Sequence, residues 1–275
     1  MNYAKVKGGE TSMRSVVAAL KSVDSCEDIE EHVDIENMAK YMALQTFVVN
    51  FDSMTGYNAQ NYYLREANGV ISLLPWDYNM AWGGYPDDGE EFGDFDQEEW
   101  EQWFNSLSQE QQDSIQKAFS QESWDMFLPD TKNRVSTYEE VSKVVNFPID
   151  TPFLGNITKR SFFMNLLAKK DFKSLYYHYL NVLCLQYTQG GAFHNTLTTI
   201  KNEIGTIAGT EANAFYTNEE FHKAVQTLDI VLHRRAESVL GQIDGSIPST
   251  WDAQKTEPNK LINCDGINLM NMGGI

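Results

Sequence analysis

The sequence contains few cysteines, little positive charge and no long apolar run. Its three cysteines, Cys26, Cys184 and Cys264, are an odd and widely separated set, which provides neither a disulfide framework nor the ligand spacing of a zinc site. The five histidines likewise show no His-x-x-x-His or comparable spacing. No apolar run reaches the roughly 18 residues that are needed to cross a bilayer. We therefore expect neither a zinc site nor a transmembrane segment in this chain.

The motifs of several common enzyme classes are also missing. No Gly-x-Ser-x-Gly elbow and no Walker sequence occurs, so a serine or cysteine hydrolase is disfavoured. The first residues lack the apolar core that a signal peptide needs. The compartment of the protein stays open on these grounds.

Acidic residues greatly outnumber basic ones, with 39 Asp and Glu against 21 Lys and Arg and a net charge of −18. Such a field repels a phosphate backbone, so nucleic acid is a poor candidate partner. It favours a cationic peptide, or a nucleotide whose charge is masked by Mg²⁺. The acids are concentrated in an acidic insertion near residues 87–105, where Asp87–Glu101 holds nine acids and no base. This stretch is either a solvated face or a docking surface for a basic peptide.

The periodicity predicts a mainly helical protein. A chain of 275 residues with 42% hydrophobic residues can bury a substantial core, and we expect one compact unit. Met13–Val23 shows one apolar helical stripe, and Asp34 is placed to cap a second helix. In the second half, Thr217-Asn218-Glu219-Glu220 predicts a capping box that opens a long helix, with Gly241 as its stop.

A single β-hairpin interrupts this helical pattern. The β-prone runs Tyr62-Tyr63-Leu64 and Val70–Leu74 are separated by a segment that contains Asn68-Gly69, and Asn-Gly supplies the positive φ angles of a tight turn. Pro75-Trp76-Asp77 then lies at the exit of the second strand. The predicted fold class is therefore α+β, mainly helical, with a small hairpin or sheet.

Three polar residues around this hairpin are candidates for chemistry. Asp52 lies in a loop, Asn61 at the start of a strand and Asp77 at the exit of the next strand. Phosphoryl transfer needs a carboxylate near the attacking hydroxyl and oxygen ligands that hold Mg²⁺ against the phosphates, and these residues supply both in the order that a kinase uses. Taken singly, each also fits a structural role as a turn former, a strand-edge amide or a cap.

The match to general kinase motifs is partial. Asn50-Phe51-Asp52 stands where a kinase has His-Arg-Asp, and nine positions rather than five separate Asp52 from Asn61. Asp77-Tyr78-Asn79 is similar to Asp-Phe-Gly but ends in Asn.

A longer set of motifs carries a family resemblance. The stretch from Val49-Asn50-Phe51-Asp52-Ser53 through Asn61-Tyr62-Tyr63-Leu64 to Leu74-Pro75-Trp76-Asp77-Tyr78-Asn79 resembles the signature of the CotH (spore coat protein H) kinase-like family. The similarity continues in three later motifs, which are Asn146-Phe147-Pro148-Ile149-Asp150-Thr151-Pro152, Ala214-Phe215-Tyr216-Thr217, and Arg235-Ala236-Glu237-Ser238 with Gly241-Gln242. It covers most of the chain, from about residue 12 onward.

The resemblance implies a divergent protein-kinase fold that transfers phosphate from ATP to serines, with Mg²⁺ or Mn²⁺ as the metal. By position, Asp52 would be the catalytic aspartate, while Asp77 and Asn61 would bind the metal and nucleotide, with Asn58 as a rival to Asn61 for the second metal contact. The implied partner is a Ser-rich basic protein of the spore coat or cell envelope.

The resemblance also implies a domain division. Residues 1–245 would be the catalytic C-terminal lobe of the kinase and residues 246–275 a peripheral tail. Family members begin with a β-rich lobe that bears a nucleotide-covering loop and a phosphate-binding Lys, and no stretch of this sequence resembles it.

Two alternatives remain open beside the kinase. One is a non-catalytic pseudokinase-like scaffold of the coat or envelope, whose acidic surface binds basic proteins. The other is a glycosidase with Asp52 and Asp77 as its two carboxylates, although the Asn between them has no role in that reaction. Asp150 could reach a metal, but its Pro-rich surroundings favour a structural turn.

Overall fold

The structure is a computed structural model, and it describes residues 10–56, 60–84, 105–109, 111–112, 134–154, 161–212, 214 and 216–273. Asn58 and the acidic stretch 87–101 lie outside the described residues. The helices are α1 (Glu10–Ser25), α2 (Ile29–His32), α3 (Ile35–Phe47), α4 (Tyr138–Val145), α5 (Ser161–Ala168), α6 (Lys170–Val182), α7 (Ala192–Ile204), α8 (Asn218–Asp244) and α9 (Trp251–Thr256). Strands β1 (Tyr62–Ala67) and β2 (Val70–Pro75) form an antiparallel pair.

Shorter helical segments accompany these elements. A π-helix over Leu183–Gln189 extends α6, and 3₁₀ turns occupy Pro258–Lys260 and Leu269–Met272. The protein is thus mainly helical with one small antiparallel sheet, which confirms the predicted fold class. No helix within the described ranges combines the length and apolar character that a bilayer crossing requires.

The main core lies between α3 and α6. Asp34 caps α3 as predicted, because its carboxylate accepts the backbone N–H of Asn37 at 3.0 Å. The inner faces of the two helices bury large side chains, which are Met38, Met42 and Phe47 on α3 and Phe172, Tyr176 and Leu180 on α6. These residues recur every four or five positions, which keeps them on one buried helical stripe.

The hairpin is fixed to this core through α3. Asn68 and Gly69 have φ angles of 54° and 86°, so the Asn-Gly turn forms as predicted. The amide of Asn37 pairs with Leu73 of β2 in both directions, with Nδ2 donating to the carbonyl at 3.1 Å and Oδ1 accepting from the N–H at 2.7 Å. The side of β2 is therefore attached to the N-terminal turn of α3.

Helix α8 begins where the sequence predicted but ends later. Thr217 and Glu220 form the predicted capping box. The predicted stop at Gly241 is wrong, because the helix continues to Asp244 and Gly245 is its left-handed C-cap with φ 83°. Gly241 instead allows a close approach, since an added Cβ would lie 2.6 Å from Cδ1 of Ile247.

The segment after α8 packs back on the core. Gln254 is buried and donates through Nε2 to the carbonyl of Asn146 at 2.7 Å, and Asp150 donates its N–H to the carbonyl of Ser249 at 2.9 Å. Cys264 is buried in a small apolar cluster of α4. Residues 246–273, expected as a peripheral tail, are attached to the body at several points.

Candidate functional site

Asp52 lies in a short loop that follows α3, and only 7% of the residue is exposed. The chain leaves the helix at Phe47 and turns at Val49, which adopts a left-handed conformation with φ 49°. The N–H of Asp52 donates to Oδ1 of Asn50 at 3.1 Å, and the Ser53 hydroxyl donates to the carbonyl of Asn50 at 2.8 Å. Such local side-chain bonds stabilise a loop, so the Asp52 carboxylate is held in a defined position.

Asn61 binds Asp52 directly. Its amide nitrogen donates to Oδ2 of Asp52 at 2.6 Å and to the backbone carbonyl of Asp52 at 3.0 Å. Asn61 has φ 56°, a left-handed conformation that asparagine tolerates better than most residues. Because the nitrogen is directed at Asp52, the amide oxygen is the atom of this side chain suited to a metal ion. The structure therefore brings two of the predicted site residues together.

Asp77 lies at the same end of the hairpin as Asn61. The register pairs Tyr62 with Pro75, so Asn61 immediately precedes this last pair and Asp77 follows it by two residues. The Asp77 side chain is exposed, and its φ of 57° is also left-handed. Non-glycine residues in this region of φ/ψ space are concentrated at functional sites. The open end of the hairpin thus carries Asn61 and Asp77, two of the three residues predicted to bind a metal.

The segment after Asp77 is fixed to the segment before Asp52. The N–H of Trp82 donates to the carbonyl of Val48 at 2.7 Å, and the N–H of Gly83 donates to the carbonyl of Val49 at 3.2 Å. These two backbone bonds place the chain that leaves Asp77 alongside the chain that leads to Asp52.

Tyr78, the residue after Asp77, is hydrogen-bonded to α3. Gln45 of α3 donates through Nε2 to the Tyr78 hydroxyl at 2.9 Å. Burial raises the pKa of Tyr78 to about 12, so this hydroxyl is neutral at physiological pH. The residue next to Asp77 is thereby tied to α3.

Gln60 contacts the candidate base Asp52, although no sequence motif singles it out. Its Nε2 donates to Oδ1 of Asp52 at 2.5 Å, while Asn61 occupies Oδ2. Both carboxylate oxygens of Asp52 therefore accept an amide N–H. The only sequence signal was the position of Gln60 directly before Asn61, and that does not reveal where a flexible side chain points.

Lys143 also lies near the site. Its Nζ lies 5.7 Å from the centre of the Phe51 ring, next to Asp52 in the chain. Burial lowers the pKa of Lys143. Val144 packs against Phe51, and an added Cβ on Gly83 would lie 2.4 Å from a Val144 methyl carbon. Helix α4 therefore borders the segments that carry Asp52 and Asp77.

The other residues considered for the site have structural contacts. The Asp150 carboxylate accepts the hydroxyls of Tyr177 at 2.8 Å and Ser249 at 2.7 Å, and it pairs with Lys173 at 2.7 Å. These contacts fit the structural turn that the sequence favoured. Trp82 is half-buried against Phe47 and packs beside the site.

The predicted donor set is chemically suited to a hard divalent cation. Carboxylate and amide oxygens are the ligands that Mg²⁺ and Mn²⁺ take in proteins, with phosphates and waters completing the shell. In the part of the chain that the structure describes, no three or more His, Cys, Asp or Glu side chains are grouped to form a metal cage. A site with Asp77 and Asn61 as its protein ligands needs no such cage, because a nucleotide supplies further oxygens.

Comparison with known proteins gives one match. A family model described as CotH kinase protein matches residues 3–239, which is most of the chain. No curated protein and no solved structure matches it. The matched range contains the loop of Asp52, the whole hairpin and most of α8.

Proposed function

Because the chain belongs to the CotH kinase protein family, we propose that it is a CotH-type protein kinase that transfers phosphate from ATP to serine side chains. The observation that carries this proposal is the double hydrogen bond from Asn61 to Asp52 at the open end of the hairpin that leads to Asp77. The residue types that phosphoryl transfer needs are thus placed on adjoining segments.

The proposed roles follow from the chemistry of each side chain. Asp52 accepts the proton of the serine hydroxyl. As it does so, the serine oxygen forms a bond to the γ-phosphorus, and the bond between the γ-phosphorus and the oxygen that bridges to the β-phosphate breaks, which leaves ADP. Asp77 and Asn61 would hold Mg²⁺ or Mn²⁺, with Asn58 as a further candidate ligand. When bound, the divalent ion neutralises phosphate charge.

Gln60 is the partner of Asp52 that can give way to a substrate. The serine hydroxyl needs a free lone pair on one carboxylate oxygen as its acceptor; Gln60 binds Oδ1 and Asn61 binds Oδ2, and each oxygen keeps a second lone pair. Gln60 is exposed, whereas Asn61 is half-buried and makes a second bond to the same residue. Where the incoming serine needs the space beside the carboxylate, it therefore displaces Gln60 at lower cost than Asn61.

The net charge of −18 supports a basic substrate. A cationic, Ser-rich segment is attracted to such a surface, whereas an acidic one is repelled. Together with the family, which is named for a spore coat protein, this points to basic proteins of the coat or cell envelope as substrates.

The proposal is tested by phosphate transfer from labelled ATP to a Ser-rich basic peptide. Asp77→Asn should lose nearly all activity, because a neutral amide holds Mg²⁺ much more weakly than a carboxylate. Asp252→Asn is the matched control, since the Asp252 side chain is 99% exposed on α9 and should tolerate the change. Equal activity of Asp77→Asn and wild type would remove Asp77 from the site.

A non-catalytic scaffold is the second candidate, and the same net charge favours it. Such a protein would bind the basic peptide without transferring phosphate. Thermal unfolding with and without Mg-ATP separates the two, because a ligand that binds the folded state raises the midpoint of unfolding. Peptide binding with no Mg-ATP shift and no transfer would favour the scaffold.

A further inference from the structure

Asn79 is the residue of the Asp77-Tyr78-Asn79 motif to which the proposed reaction gives no role. The kinase motif Asp-Phe-Gly ends in glycine, which has no side chain, whereas Asn79 places an amide at the same position. Asn79 is exposed and lies two residues from Asp77, which is proposed to hold the divalent ion. The motif therefore offers a second side-chain oxygen close to Asp77.

The four residues from Asp77 to Met80 alternate between the outside and the inside of the protein. Tyr78 is half-buried with its hydroxyl bonded to α3, and Met80 is only 9% exposed. Asp77 and Asn79, on either side of Tyr78, are both exposed. The N–H of Ala81 donates to the carbonyl of Tyr78 at 3.0 Å, which closes a turn over this stretch. Asp77 and Asn79 therefore present their side chains on the open side of the chain, away from α3.

The side chain of Asn79 does not serve to build this turn. Asparagine in a turn often accepts the backbone N–H of the residue two positions later. Asn50, Asn263 and Asn268 all do so in this protein, through Oδ1 at 3.1, 2.8 and 3.1 Å. Among the residues that the structure describes, the amide of Asn79 makes no such bond and has no other hydrogen-bond partner. Its amide oxygen is therefore available to a ligand.

Oxygen ligands two residues apart can bind one divalent ion. The EF-hand loop binds Ca²⁺ in this way through its positions 1, 3 and 5, where Asp and Asn are the usual residues. Asp77 and Asn79 have this spacing, with one carboxylate and one amide oxygen. Residue 81 is alanine, so the pair does not continue as a calcium loop. Other oxygens have to complete the shell of an ion bound here.

We propose that Asn79 is a further ligand of the divalent ion that Asp77 holds, through its amide oxygen; this inference rests on the proposed kinase function. With Asn61, which lies at the same end of the hairpin, the protein then supplies one carboxylate and two amides. Such a set carries a single negative charge. Because affinity for hard divalent cations rises with the number of charged ligands, tight binding depends on the phosphates of a nucleotide.

The probe is Mn²⁺ in the presence of ADP, titrated into the full chain and followed by paramagnetic broadening of backbone amide signals in ¹H–¹⁵N spectra. Broadening in the hairpin and in the turn at 78–81 reports an ion at this end of the hairpin. Asn79→Ala should weaken this binding at least about tenfold, since loss of residues that only support metal ligands already has that effect. Asn195→Ala is the matched control, because Asn195 is exposed on α7, and its affinity should equal that of wild type.

Two further substitutions separate a metal ligand from a turn former. Asn79→Gly keeps a residue that suits a turn but removes the oxygen, so it should bind Mn²⁺ as weakly as Asn79→Ala. Asn79→Asp keeps an oxygen and adds a charge, so it should bind at least as tightly as wild type. Wild-type affinity in Asn79→Gly would overturn the proposal.

Asp77→Asn, measured in the same titration, shows which proposal has failed if the result is negative. Weaker binding in Asp77→Asn but not in Asn79→Ala would mean that Asp77 holds the ion without Asn79, and only this inference would be wrong. Wild-type binding in both variants would mean that no ion is held at this end of the hairpin, and the proposed function would lose its metal site as well.

Discussion

Arg235 is a fully buried cation that is held by backbone carbonyls. Nε and Nη2 donate to the carbonyls of Phe47 and Thr46 at 3.3 and 2.9 Å, and Nη1 donates to those of Val145 and Phe147 at 3.3 and 2.6 Å. The carbonyls of Thr46, Phe47 and Val145 belong to the C-terminal ends of α3 and α4, where the helix dipole is negative, and Phe147 follows α4 by two residues. Burial still lowers the pKa of Arg235 to about 10.

This arrangement predicts a large difference between two neighbouring arginines. Arg235→Lys should lower the free energy of unfolding by roughly 3 kcal/mol, because an ammonium cannot reach carbonyls on two helix ends and leaves some unpaired. Arg234→Lys should change it by less than about 0.5 kcal/mol, because Arg234 makes a surface pair with Glu237. Urea unfolding of the two variants measures both values, and similar losses would contradict the role of Arg235.

At the level of single residues, the sequence allowed prediction of the chemical types of the candidate residues and of their order along the chain, but not of their contacts. Asp52, Asn61 and Asp77 could be selected because phosphoryl transfer uses two carboxylates and an amide in this order. The bond from Gln60 to Asp52 could not, because it depends on the path of the loop between them. Arg235 was noticed as part of a family motif, but its burial among carbonyls follows from the packing of α8 on α3 and α4.

Among the elements, the hairpin has the clearest link between sequence and site. Asn68-Gly69 determines the turn, the turn determines the register, and the register places Asn61 and Asp77 at one end. This chain of inference needs only local sequence, so the hairpin was predictable. Asp52 joins the same end through the bonds of Asn61, which are not local and had to be seen in the structure.

The end of α8 shows where local rules were not sufficient. Gly241 follows the last periodic apolar residue and was a reasonable stop, but Gly245 is the residue with positive φ. Gly241 lies inside the helix, and Ile247 folds back against it. The N–H of Ile247 donates to the Gly241 carbonyl at 2.9 Å. A glycine that a tertiary contact requires cannot be distinguished from a cap by sequence alone.

Gly241→Ala tests this explanation. The added methyl would lie 2.6 Å from Ile247 Cδ1, so we expect a loss of about 1–2 kcal/mol in the free energy of unfolding. In an Ile247→Ala background the two closest contacts are gone and only Ser246 Oγ, 3.1 Å from the added Cβ, stays tight. The same change should then cost at least about 1 kcal/mol less and end near neutral, because alanine favours a helix. Chemical unfolding of the four proteins gives the coupling between the two positions. An equal effect of Gly241→Ala in both backgrounds would show that Ile247 is not the reason for the glycine.

At the scale of the whole molecule, the motif of residues 235–242 on α8 makes hydrogen bonds with residues 146–152, which follow α4. Asn146 accepts through Oδ1 from the Ser238 hydroxyl at 3.1 Å and from the N–H of Ile262 at 3.0 Å. Gln242 accepts the N–H of Ile149 at 2.9 Å. The motifs around residues 146–152 and 235–242 are therefore parts of one buried polar network, and these contacts give both motifs a structural role.

Buried tyrosines predict how the stability of the whole molecule depends on pH. Burial raises the pKa of Tyr41, Tyr176 and Tyr177 above the ordinary value, and that of Tyr78 to about 12. In the unfolded chain a tyrosine ionises near pH 10, so the folded state holds more protons above that pH. This contribution to stability is fully present below about pH 10 and is lost as the pH rises through the folded-state values.

Tyr176 isolates this effect, because it is fully buried and its hydroxyl donates to the carbonyl of Ile149 at 2.8 Å. Between about pH 10 and 11.5 the unfolding free energy of wild type should fall more steeply than that of Tyr176→Phe, by about 1.4 kcal/mol per pH unit. Below about pH 9 the two curves should run parallel, with the variant lower by about 1 kcal/mol for the lost hydrogen bond. Urea titrations across this range measure the difference, in which the contributions of other titrating groups cancel. Parallel curves above pH 10 would mean that the Tyr176 hydroxyl ionises in the folded protein as readily as in the unfolded chain.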